Sequence, residues 1–290
     1  MKMKKKLTVE MVRNAKVIYT HGGVFHADDV FSATLLKMIN SDLIVKRVFK
    51  VPEEVDEDTI VFDIGGGLYD HHQEPREARE NGVLYAAFGK LWRDLGTYFV
   101  PEEFVPKFDE SFIQAIDNTD NTGEHNLLSG VISSFNPNWD DDLTTDEAFE
   151  TACDFALIIL TRQFAGIESK VEAREIVDEA YKKAEDKKIV VLQRFVPAIE
   201  YIQEKYKDTE FIVFPSLRGG FNIQGIPVSK EDKTLKVPFP NEWLGKRNEE
   251  LREVSGIKEI DFCHPGNFMC ACQTVDAAIE AGHKAQEYNK

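Results

Sequence analysis

The 290-residue chain has little positive charge, few cysteines and histidines, and no long apolar run. Its 35 basic residues stand against 51 acidic ones, a formal charge of -16, so no diffuse positive field is available to hold a long polyanion. A phosphate-bearing substrate would have to be captured by metal ions or by a local basic patch. Four cysteines, Cys153, Cys263, Cys270 and Cys272, are too few for a disulfide framework at this length. The last three cluster beside His264 but lack paired CxxC spacing, and they read as small buried hydrophobes in preference to a zinc site. No stretch approaches the length of a membrane helix. The basic start MKMKKKLTVEMVRNAK is followed by no signal-peptide core and carries no transit signature, so a cytoplasmic location without membrane contact is expected.

What is present supports folded cores: 42% of residues are hydrophobic and 11% aromatic, and the length favours two domains. AKVIYTH (15–21) is a short beta-branched run, a buried strand that delivers His21 to the loop GGVFHADD ahead of the helix VFSATLLKMIN. LIVKRVFKV predicts a second strand and DTIVFDIGGG a third, ending on Asp63. GVLYAAFGKLWRDLG predicts a helix with glycine at its end, and ESFIQAIDNTDNTG a helix running into a polar loop. Strands alternating with helices imply an α/β fold with a parallel, helix-flanked sheet, whose ligands gather at the strand carboxyl ends. Residues 146–187 read as a long charged connecting helix. Beyond it KIVVL, FIVFPS, GGFNIQGIPVS and IDFCHPGNFMCACQT predict strands, and VDAAIEAGHKAQEY a final helix. The expected organisation is a domain over residues 1–187, including the helical linker, and a smaller mixed α/β domain over residues 188–290.

Histidines and aspartates collect at element ends in the first domain: His21, His26, Asp28 and Asp29 in THGGVFHADD, Asp63 in VFDIGG, Asp70, His71 and His72 in YDHHQ, and Asp117 and Asp120 in AIDNTDNTG. Each has an ordinary reading as a cap or turn residue. All of them reaching one rim of one sheet is harder to explain that way, and mixed carboxylate and imidazole ligands suit manganese, zinc or iron.

In that order these motifs resemble the four motifs of DHH-superfamily phosphoesterases, which include RecJ exonucleases, oligoribonucleases and family II pyrophosphatases. The forms THGGVFHADD, VFDIGG and YDHHQ, GVLYAAFGKLW and AIDN, with FP.EW.G.R.EEL.EVSGI and a late F.H..F, look most like the melanocyte proliferating gene family of metal-dependent nucleases, over roughly residues 17–280. The resemblance implies a DHH domain in which His21, His26, Asp28, Asp63, His71 and Asp117 hold metal, with Asp63 as the bridge and Asp70 orienting His71. Phe25 stands where the first Asp of the usual His-x-x-x-Asp-x-Asp falls, which leaves open which of His21, His26, Asp28 and Asp29 touch metal. His72, with Asp70, is the catalytic candidate: an imidazole beside a ligand can reach a phosphoryl oxygen or protonate a leaving alkoxide. In the second domain Arg218, Gly219, Gly220 and His264 are the implied substrate contacts, whereas Lys246 and Arg247 read as a solvated face.

The expectation is a hydrolase that uses two divalent ions, manganese in preference to magnesium, to cleave RNA or short oligonucleotides from an end. A homodimer is compatible with it. The alternatives are a small-molecule phosphatase acting on pyrophosphate or nucleotides, and a non-catalytic metal- or nucleotide-binding regulator.

Overall fold

The computed structural model describes residues 5–56 and 58–290; the first four residues of the basic start lie outside the described residues. The chain divides into two compact units, one ending at Ile167 and the other beginning at Glu168.

In the first unit α1 (Val9–Asn14) leads into β1 (Val17–His21), then α2 (Ala27–Ile39), β2 (Ile44–Val48) and β3 (Thr59–Val61). The strands form a parallel sheet in the order β2-β1-β3, with Val17 beside both Ile44 and Thr59. β1 is therefore central, and its carboxyl end is where a ligand of such a sheet is expected. α2 is buried nearly all round its first ten residues, Asp28 and Asp29 included. The helices α3 (Ala87–Phe99), α4 (Val105–Phe108), α5 (Gln114–Thr122) and α6 (Leu127–Ser133) complete the unit with the start of α7 (Thr145–Lys183). A π-helical turn, Asp109–Ile113, lies between α4 and α5. α5 ends at Gly123, whose φ of 74° takes the left-handed conformation that closes a helix at least cost for a residue without a Cβ.

Two details depart from the sequence reading. α3 begins only at Ala87, because Leu84 pairs with Ala78 and the Tyr85 N–H donates to the Glu77 carbonyl, which holds the preceding residues extended. It also runs past Gly96, which lies against the Trp92 ring so closely that a Cβ would press on it. That glycine serves packing and does not end the helix.

The 39-residue α7 is continuous, as a charged connector should be, but the division between units falls inside it. The reason is packing. Phe149 and Leu160 are buried and Phe164 stacks on Trp92 of the first unit, whereas Ala173 and Val177 belong to a core of the second.

The second unit carries β4 (Ile189–Val191), α8 (Ile199–Lys205), β5 (Phe211–Pro215), β6 (Phe221–Gly225), α9 (Asn248–Ser255), β7 (Ile260–Cys263), β8 (Met269–Cys272) and α10 (Val275–Tyr288). Its mixed sheet has the order β4-β5-β6-β8-β7, with only β4 and β5 parallel. Successive side chains of β5 alternate between two cores. Phe211 and Val213 face one that includes Ala277, Ala281 and Ala285 of α10, and Ile212 and Phe214 face the one built on α7. Among the described residues no helix is long and apolar enough to cross a membrane.

Candidate metal centre

The sheet delivers His21 at the last position of β1, and the loop after it is fixed from outside. Asn136 accepts from the Phe25 N–H at 3.0 Å and donates to the Phe25 carbonyl at 2.9 Å, as a neighbouring strand would. The buried Arg47 donates to the Gly23 carbonyl at 2.6 Å and lies over the rings of Phe25 and Phe149. Phe25 is fully buried, so it anchors the loop while its neighbour His26 opens α2. Asp28 and Asp29 then fall in the first turn of α2, where the helix dipole favours negative charge. Asp29 accepts the His26 N–H at 3.0 Å through one oxygen.

Asp63 follows β3 with φ 57°, a left-handed conformation that aspartate tolerates better than most side chains. Its N–H donates to the Tyr69 carbonyl, and the loop between them returns the chain to Asp70. Gly66 N–H donates to Asp70 at 2.6 Å, and Lys90 donates to the Asp70 carbonyl at 3.2 Å. Tyr69, fully buried, donates to Asp94 and accepts from the Leu7 N–H.

These elements bring one cluster together. His21 Nε2 lies 3.0 Å from Asp29 and 3.3 Å from Asp63. His71 Nε2 lies 3.0 Å from the other Asp63 oxygen, 3.0 Å from Asp120 and 3.8 Å from Asp28. His26 Nδ1 lies 3.1 Å from Asp120. Three groups of ligand atoms result, each within 4.8 Å of one another: His21, Asp29 and Asp63; Asp63, His71 and His72; and His26, Asp28 and Asp120. Asp63 is common to two of them.

Both Asp28 oxygens, one oxygen each of Asp29 and Asp63, and His71 Nε2 are buried and make no aligned hydrogen bond, in spite of these short approaches. An unpaired buried carboxylate is costly, and the remedies are a proton or a cation. Burial and the charges of Asp63, Asp120, Asp29 and Asp117 push Asp28 well above the ordinary carboxylate range. Burial opposes a charged ring at His21 and His71, yet the adjoining carboxylates outweigh it and raise them to about 11 and about 10. Both results express one excess of buried negative charge. The orphaned oxygens and the mixed imidazole and carboxylate donors fit divalent cations of the manganese, zinc or iron type.

Two expected roles are corrected. Asp117, expected as the last metal ligand, is 0% exposed and already engaged: Arg79 donates to one oxygen at 2.7 Å and Gly89 N–H to the other at 3.1 Å. The carboxylate that α5 turns to the cluster is Asp120, one helical turn on. Asp70, expected to orient His71, instead holds His72: it accepts the His72 N–H at 2.9 Å and lies 3.0 Å from His72 Nδ1. His71 Nδ1 faces Asn121 at 3.3 Å. Burial works against the Asp70 charge, but the His72 and Gly66 bonds prevail and lower it to about 2. An ionised Asp70 can only accept, which leaves the proton on His72 Nδ1. The His72 side chain is 61% exposed, against 6% for His71.

The substrate candidates of the second unit sit on its β-turns. Gly219 and Gly220 form the turn joining β5 to β6, and a Cβ on Gly220 would run into the Cys272 carbonyl. Arg218 is exposed. His264 accepts the Gly266 N–H at 2.9 Å and lies against the Phe268 ring. Cys263, Cys270 and Cys272 are buried in the β-sheet core as hydrophobes.

A family model described as "Uncharacterised protein family (UPF0160)", titled for the MYG1 exonuclease, matches residues 17–285. The MYG1 protein of Dictyostelium discoideum is 27% identical over 311 residues, covering 90% of this chain and 94% of that protein. The MYG1 protein of Schizosaccharomyces pombe is 26% identical over 329 residues, covering 96% and 99%. A protein named MYG1 exonuclease from Homo sapiens is 27% identical over 314 residues, covering 90% and 83%. No solved structure matches the chain significantly. With the matched region taking in both the cluster and nearly all of the second unit, the chain belongs to the MYG1 family.

Proposed function

We propose that this chain is a metal-dependent phosphodiesterase that removes nucleotides from the end of RNA or a short oligonucleotide, with two divalent ions, manganese first among them. The observation that carries the reading is the convergence of orphaned buried oxygens of Asp28, Asp29 and Asp63 on imidazoles, with Asp63 common to two ligand groups. The nuclease names of the mammalian relatives support the reaction class, and the Asp-His-His order supports kinship with DHH phosphoesterases. His21, Asp29 and Asp63 would hold one ion, and Asp63, His71, Asp28 and Asp120 the other, with His26 at the edge. Such ions supply charge stabilisation to a phosphate and acidity to a water.

The chain's own groups supply orientation and a proton. Asp28 and Asp29 sit on a helix and His21 on a strand, so the ligand frame is rigid before substrate arrives. Asp70 fixes the His72 tautomer, and Lys90 holds the carbonyl of the same loop residue. With Nδ1–H committed to Asp70, His72 is an acid at Nε2 when its ring is doubly protonated. As a water oxygen bonds to phosphorus and its proton leaves to solvent, the ester P–O bond breaks and the Nε2 proton passes to the leaving alkoxide.

The test is incubation of the full chain with manganese or magnesium and 5′- or 3′-labelled RNA and DNA oligomers, pyrophosphate and cyclic dinucleotides. A ladder growing from one end of the oligomer is expected, lost on chelation. Hydrolysis of pyrophosphate alone, or of nothing while manganese is bound, would overturn the reading.

A further inference from the structure

A cavity of about 410 Å³ opens beside the metal centre and includes two of its residues, His26 and Asp120. Its remaining walls come from Ala27 at the start of α2, from α5 and α6, and from the turn between them. Ala27 and Ile116 give apolar surface, and Thr119, Asn126, Ser129 and Ser133 bring hydroxyl and amide groups. The volume lies within the ~300–1,000 Å³ usual for small-molecule sites, whose mark is an apolar wall with a few placed polar groups.

Charge restricts what can enter. Asp120 and Glu124 lie on the wall with His26 and His125, and among the described residues no lysine or arginine lines it. Asp120 is paired with His26 at 3.1 Å, so a second phosphate would meet the Glu124 carboxylate and no lysine or arginine to hold it, which disfavours a strand threading through. A neutral group with flat faces and hydrogen-bonding edges suits the same walls. Gly130 keeps the space open: a Cβ there would meet only His125 Nε2, at 3.9 Å. A glycine inside a helix is otherwise unfavourable relative to alanine.

We propose that this cavity receives the terminal nucleoside of the substrate, the neutral sugar and base attached to the phosphate held at the metal centre. The proposal rests on the phosphodiesterase reading and adds the origin of end selectivity to it. A nucleoside that lodges where a second phosphate is repelled is the last of its strand.

Gly130→Phe and Ser133→Trp fill the cavity from two positions on α6, so failure of one variant to fold leaves the other. Calorimetry on the full, manganese-loaded chain uses 5′-AMP, 3′-AMP and inorganic phosphate as probes, with manganese uptake as the check on the centre. In the unaltered protein the better-bound AMP should exceed inorganic phosphate by about tenfold or more, and each filled variant should lose about that factor for AMP and less than about twofold for phosphate. Equal affinity of AMP and phosphate in the unaltered protein overturns the proposal without any variant. So does AMP binding that survives filling, or that falls only in step with phosphate. If the unaltered protein takes up no manganese, the phosphodiesterase reading fails by itself, and adenosine binding without metal, lost on filling, still decides the cavity.

Discussion

Replacing Asp117 and, separately, Asp120 by asparagine should divide two roles that α5 carries one turn apart. Asp120 approaches His26 and His71 at 3.1 and 3.0 Å, whereas Asp117 accepts from Arg79 and Gly89 and belongs to none of the three ligand groups, acting on Asp28 only through its charge. Breaking a buried ion pair from one side costs ~3–5 kcal/mol. Two features reduce that here. Arg79 keeps Asp109, bonded through Nε and Nη2 at 2.7 and 2.6 Å. Burial also disfavours the Asp117 charge, moving it from 3.8 to about 6 even beside Arg79. A rise of about 2 units corresponds to ~3 kcal/mol of penalty on the charged form, and asparagine removes it. The net cost of Asp117→Asn is therefore ~0–2 kcal/mol, a fall in thermal midpoint of less than about 8 °C. Its manganese affinity should stay within about threefold, whereas Asp120→Asn should lose ~10–100-fold or more. Manganese titration calorimetry and thermal melts on the two variants measure both quantities. An Asp117→Asn protein as depleted in metal as Asp120→Asn would refute this division.

The His21 and His71 rings, raised above the unfolded value of 6.5 to about 11 and about 10, contribute stability that is full below pH 6.5 and drains away towards those higher values. Metal-free protein should melt lower at about pH 9 than at about pH 7, while manganese, which needs neutral rings, should bind more tightly over the same interval; pH-independent values of both would contradict the cluster's electrostatics. His71→Ala should lose manganese, whereas His72→Ala should keep it and lose ~100-fold in rate on a ribose leaving group but little on a nitrophenyl phosphodiester. Loss of metal from both variants would end that division of labour. Gly89→Ala should destabilise by ~1–3 kcal/mol or more in a melt, because its Cβ would meet Asp117 and Arg79, whereas Gly166→Ala, in open space within α7, should stabilise by roughly 0.5–1 kcal/mol.

Most elements were legible because local pattern and tertiary environment agree. VIYTH is beta-branched and becomes the central strand, and TDNTG ends a helix where Gly123 turns left-handed. The failures lie where a distant contact overrides local chemistry. Gly96 looks like a stop but lies under Trp92, and residues 82–86 look helical but pair backwards with the Glu77–Ala78 segment. The unit division inside α7 was likewise invisible, since nothing in a continuous helical pattern says which core each turn will join.

The site shows the same limit more sharply. Histidines and aspartates at strand ends identify the cluster, because the parallel sheet places those ends together. The pattern does not say which member of a pair turns inward. Asp117 and Asp120 are three residues apart on one helix, and what separates them is Arg79, 38 positions before Asp117, whose guanidinium captures the earlier carboxylate. Asp70 adjoins His71 in sequence but binds His72, because the turn closed by Gly66 directs its carboxylate to the later ring. Asn136, 111 residues from Phe25, fixes the loop that carries His26, and no local signal marks it. Residue type and spacing therefore select the candidates, and long-range polar partners divide them between the groups that could hold a metal and those that hold the frame around it.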